Sequence, residues 1–173
     1  NANPPAEAIA LDGTRRVIDY IHRAVDDGSD REARLNMSMA ALQGGMAIYM
    51  GLGPIHALSM CFGDRPLHHG TLVTVAMPAV MRFFNGKLAD SVLERYAEAM
   101  NLAGDKDAGN RIADAVAEMN AKLGPPATVR EMGYEKTDVD RMIEEAHDSP
   151  FNLPSPIRPS MADYEKLVTE VLG

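Results

Sequence analysis

The segment from His69 to Phe84 is apolar almost end to end, with Arg82 its one charge and Pro78 near its middle. A run this apolar has to be buried, yet it falls short of the roughly 20 residues that span a bilayer. It therefore needs a protein core around it. Its sequence suits a buried helix bent at Pro78, whose missing N–H leaves the Thr74 carbonyl without its helical partner. A strand over Thr71 to Met77 is the alternative reading. The rest of the chain favours helix: aromatics make up only 5%, Trp is absent, and Met is high at 12. Straight-chain and small residues lose little rotamer freedom on a helix, and runs rich in Val, Ile and Thr are largely missing.

Around this core candidate the apolar spacing predicts further helices. Pro4 and Pro5 suit a helix start, with Ile9, Val17, Ile18, Ile21 and Val25 following to about Ala24, and Asp26-Asp27-Gly28 as the stop. Ser29 or Asp30 caps the next helix, which runs to about Met50 with an apolar stripe of Leu35, Met39, Leu42 and Met46. Gly44 and Gly45 lie inside that helix and cost about 1 kcal/mol each relative to Ala, so a close-packed neighbour is expected on that face. A short helix covers about Ile55 to Phe62, and Gly63-Asp64-Arg65-Pro66 is a turn that leaves Asp64 in water. Four more helices are predicted at Ser91 to Asn101, Asp107 to Leu123, Asp138 to His147 and Tyr164 to Leu172, with a helical turn near Thr128 to Met132. Ser149 to Pro159 reads as an extended, wrapping linker. The expectation is an all-α bundle of about seven to nine helices, with residues 1–173 as a single domain.

The formal net charge of −8 disfavours a nucleic-acid partner, because an acidic surface repels phosphate. The lone Cys61 excludes an internal disulfide and fits a reducing, cytoplasmic setting. No apolar run is long enough for a membrane span. Chemistry concentrates between Gly53 and Gly70, which holds His56, His68 and His69, three of the five histidines. His56 on the short helix and His69 at the start of the apolar one can point into one cleft, and neutral imidazole is a good ligand for zinc or ferrous iron. The spacing alone is not a signature: two histidines near a turn are more often ordinary core or surface residues. Met60 and Cys61 read as core filler, and His22 and His147 as surface residues.

The run Met50-Gly51-Leu52-Gly53-Pro54-Ile55-His56-Ala57-Leu58, then His69-Gly70, then Met77-Pro78-Ala79-Val80-Met81-Arg82-Phe83, resembles the iron-containing (group III) alcohol dehydrogenases. It is similar to their C-terminal, helical, metal-binding domain. The likeness extends through Ala8 to Ile18, Ala24 to Met39, Gly124 to Gly133 and Ser149 to Pro159, nearly the whole chain. The resemblance implies that His56 and His69 are metal ligands for Fe2+ or Zn2+. It implies two further ligands, an Asp and a His, on a helix ahead of Asn1, and a nucleotide-binding domain beyond that, which makes this chain a C-terminal fragment. The implied reaction is hydride transfer between a small alcohol or aldehyde and NAD(P), with Leu52, Met60 and Phe62 shaping the substrate pocket. No catalytic or nucleotide-binding residue is assigned within the chain itself, which is expected to be inactive alone and either to form a homo-oligomer or to need its missing N-terminal half. Two departures stand out: Met60 replaces a further histidine common in the family, and the interval from His56 to His69 is one residue short. A non-catalytic helical interaction module, or one subunit of a split enzyme, is the alternative.

Overall fold

A computed structural model describes residues 3–104, 106–135 and 138–173. The chain is helical throughout, with no strand among the described residues: α1 (Pro4–Asp26), α2 (Arg31–Ala47), α3 (Pro54–Met60), α4 (His69–Phe84), α5 (Asp90–Ala99), α6 (Ala108–Leu123), α7 (Val139–His147) and α8 (Met161–Leu172), plus 3₁₀ turns at Ile48–Met50 and Pro150–Asn152. The expected all-α bundle is therefore what the chain forms, and the strand alternative over Thr71 to Met77 falls inside α4. Asn1 and Ala2, at the N-terminal end of the expected single domain, lie outside the described residues. The chain divides into two compact units, Asn1–Gly51 with Ala89–Ala108, and Leu52–Leu88 with Gly109–Gly173.

In the first unit α1 and α2 form an antiparallel hairpin. Asn3 caps α1, accepting from the Ala6 N–H, and Asp30, rather than Ser29, caps α2 by accepting from the Ala33 N–H. Arg23 pairs with Asp30 and Glu32 near the turn, and Asp12 accepts from Gln43 at 2.6 Å near the open end. Helix α5 joins them through Arg95, whose guanidinium sits 2.6 Å from Glu7. The seam on α2 is made of Ala33, Asn36, Ala40 and Gln43, so small residues and hydrogen bonds hold the two helices together. The closest glycine on this seam is Gly13 of α1, where an added Cβ would lie 3.3 Å from Gln43 Cβ. Gly44 and Gly45 instead face open space, and Leu35, Met39, Leu42 and Met46 are largely exposed. The close approach expected at the glycine pair is not made among the described residues, because the seam runs along a different face of α2.

The second unit holds the main core, built from Leu58, Phe62, Val80, Met142, Tyr164 and Val168, among others. Helix α4 runs unbroken through Pro78, and the orphaned Thr74 carbonyl accepts a hydrogen bond from the Asn120 side chain of α6 at 3.2 Å. That bond offsets the lost helical partner. Gly109 of α6 sits so close to the end of α4 that an added Cβ would lie 2.8 Å from the Met81 carbonyl oxygen. The stretch near Thr128 to Met132 forms turns rather than a helix. There the N–H groups of Val129 and Arg130 donate to the Val171 and Leu172 carbonyls, completing the end of α8.

Candidate metal centre

Two glycines set the entry to α3. Gly51 and Gly53 have φ of 106° and 72°, values that L-residues with side chains rarely adopt, and Gly53 is the residue on which α3 begins. Pro54 follows at the first helical position. This places His56 in the first turn of α3 and leaves the Gly53 N–H free to donate to the Phe151 carbonyl at 3.0 Å. At the start of α4, His68 is the N-cap, with its Nδ1 accepting from the Thr71 N–H at 3.3 Å. The cap occupies His68, and Gly70 makes room for its ring: a Cβ there would lie 3.1 Å from His68 Cε1. The histidine that reaches His56 is the next one, His69.

The rings of His56 and His69 stand with centroids 5.3 Å apart, inclined at 50°. Two imidazoles that share a tetrahedral metal at ordinary Zn–N distances have centroids about 5 Å apart. His56 Nδ1 is buried without a well-formed hydrogen bond, which is costly unless another group partners it. Burial pushes the His56 pKa down, the neighbouring His69 adds to the fall, and a contact with the Leu52 backbone opposes it. His56 is thus held in the neutral form, the form that binds metal. The pair fits a metal as half of a ligand set. Among the described residues no group of three or more His, Cys, Asp or Glu side chains comes together.

The remaining predicted site residues are distributed as follows. Leu52 is half-buried just ahead of α3. Met60 lies one turn beyond His56 and is 50% exposed, so it is not the core filler its apolar context suggested. Phe62 is fully buried, edge-on to Tyr134 at 5.3 Å. Cys61 is buried as expected, and its thiol donates to the Leu58 carbonyl. Asp64 is exposed in its turn, as expected, and it also accepts from the Tyr134 hydroxyl at 3.1 Å and faces Arg141. The residue that sequence reasoning missed is Phe151, whose ring lies 6.1 Å from His56. The only hint in the sequence is that Phe151 is the one aromatic residue in the Pro-rich run from Ser149 to Pro159.

Comparison with known proteins gives this pair its context. Residues 1–172 match the model of the Fe-containing alcohol dehydrogenase family, C-terminal part. The chain is 41% identical to a 4-hydroxybutyrate dehydrogenase of Cupriavidus necator over 97% of its own length and 45% of that protein. It is 28% identical to an NAD-dependent methanol dehydrogenase of Bacillus methanolicus, over 99% of this chain and 46% of that protein. A crystal structure of 1,3-propanediol oxidoreductase superposes with a TM-score of 0.89 at 27% identity, over 99% of this chain and 46% of that one. The chain thus spans just under half the length of these relatives. With residues 1–172 matched in this way, the chain belongs to the iron-containing alcohol dehydrogenase family, to the C-terminal part of which it corresponds.

Proposed function

We propose that this chain is the helical, metal-binding portion of an NAD(P)-linked alcohol dehydrogenase or aldehyde reductase, with residues 1–173 working as one domain. His56 and His69 hold a divalent metal, Fe2+ or Zn2+, together with donors from outside the chain. The observation that carries this reading is the pairing of the two rings, 5.3 Å apart, one of which has a buried nitrogen without a well-formed hydrogen bond. When bound, such an ion supplies Lewis-acid polarisation of the substrate oxygen. The chain's own residues bring the two imidazoles together, and burial keeps one of them neutral. Leu52 and Met60 provide the apolar surface for a small alcohol or aldehyde, and Phe62 backs it from the core. The nicotinamide is bound by polypeptide other than these residues.

The reading predicts that the protein, purified with its metal, contains stoichiometric iron or zinc, and that His56→Ala and His69→Ala each remove it. Metal analysis that finds the ion retained in either folded variant overturns the assignment. The 173-residue chain alone is expected to give no turnover with NAD(P)H and short aldehydes, since it supplies half a ligand set. Robust metal-dependent turnover by the isolated chain would contradict this.

A further inference from the structure

The 3₁₀ turn Pro150–Asn152 is anchored on two sides. Asn152 is buried, its amide nitrogen donates to the carbonyls of Ala146 at 2.8 Å and His147 at 3.0 Å, and its oxygen accepts from the Tyr164 hydroxyl at 2.6 Å. On the other side the Phe151 carbonyl receives the Gly53 N–H, where α3 begins. Between these anchors the Phe151 ring lies 6.1 Å from the His56 ring, inclined at 59°, within the range of direct aromatic contact. No well-formed hydrogen bond at Nδ1 locks the His56 rotamer. Around the ring stand His69, Phe151 and the Leu52 backbone.

We infer that Phe151 is a positioning residue: its ring closes off the rotamers that would turn His56 away from His69, so the turn at 150–152 sets the register of the imidazole pair. The purpose of this register rests on the metal reading above, while the contact itself does not. A flexible imidazole must be ordered when it binds, and residues that order metal ligands in advance raise affinity by roughly tenfold or more.

The test uses the 173-residue chain with labelled histidine and phenylalanine. In the metal-free wild type, NMR should show cross-relaxation between the His56 and His69 rings and between His56 and Phe151. Phe151→Ala should lose most of the His56–His69 signal, while the amide fingerprint of α4 and α8 stays folded. Phe151→Tyr should restore it, and Phe151→Leu, which keeps apolar volume if the alanine variant fails to fold, should weaken it in part. An undiminished His56–His69 signal in a folded Phe151→Ala or Phe151→Leu chain overturns the inference. Zn2+ is then titrated into each variant, and Phe151→Ala is expected to bind about tenfold more weakly than wild type. Equal affinity also overturns the inference. Zn2+ that moves neither histidine of the wild type counts against the metal reading, and the ring-to-ring signal then decides the positioning role by itself.

Discussion

At the scale of single residues, burial decides which side chains can act and which only hold. Cys61 is 1% exposed and its thiol pKa is pushed up to about 12, chiefly by burial. It is therefore protonated and inaccessible, and should not react with a thiol reagent such as DTNB until the protein is unfolded in urea. Prompt labelling of the native chain would show that the core around α3 opens readily. Asn152 presents the opposite case, a buried polar group with every hydrogen bond made. Asn152→Ala leaves two carbonyls and a hydroxyl without partners, and denaturant unfolding should show a loss of about 2–3 kcal/mol. Tyr164→Phe removes one bond and should cost about 1 kcal/mol. His56 and His69 were legible in the sequence because a motif marks them. Phe151 and Asn152 were not, because what they touch lies about a hundred residues earlier in the chain or on the next helix, and no local pattern records such contacts.

At the scale of elements, spacing located the helices but not the faces they bury. On α2 the large apolar residues Leu35, Leu42 and Met46 are exposed, while Ala33 and Ala40 are buried against α1. A seam of small residues gives a weak hydrophobic signal, so the sequence pointed to the wrong side of this helix. The two faces respond differently to an added methyl group. Gly45 faces open space within α2, so Gly45→Ala should stabilise the chain by about 0.5–1 kcal/mol, by relieving the entropic cost of a mid-helix glycine. Gly109→Ala forces a Cβ to within 2.8 Å of the Met81 carbonyl oxygen and 2.9 Å of Asn85 Cα, and should destabilise by about 1–3 kcal/mol. Thermal melts of the two variants should shift in opposite directions. A loss of stability in Gly45→Ala would mean that something does pack on that face. Pro78 teaches the same lesson: the sequence showed which carbonyl it orphans, but only the fold shows that Asn120 answers it.

At the scale of the whole molecule, two opposing electrostatic effects govern the response to acid. The net charge of −8 means that mild acidification relieves self-repulsion. Against this, the carboxyl groups of Asp12, Asp27, Asp30, Glu118 and Asp163 all have pKa values below their ordinary ones, each held down first by a hydrogen bond. A group whose pKa is lower folded than unfolded contributes stability that is complete above its unfolded value and lost as pH falls through its folded value. Asp163 shows the largest displacement, to about 2 from 3.8, through the Ser160 capping box and then Lys87. Its contribution is present above about pH 4 and fades towards pH 2. With allowance for its partial exposure it amounts to about 1 kcal/mol, comparable to an N-cap. Repulsion relief acts over long range and is screened by salt, whereas the hydrogen bonds are short and local, so the bonds should dominate once the carboxyls themselves titrate. Stability measured by urea unfolding should fall between about pH 4 and pH 2. Asp163→Asn should be less stable than wild type at neutral pH and should show a shallower decline with acid. Equal slopes in the two proteins would mean that the cap at the start of α8 carries none of the acid sensitivity.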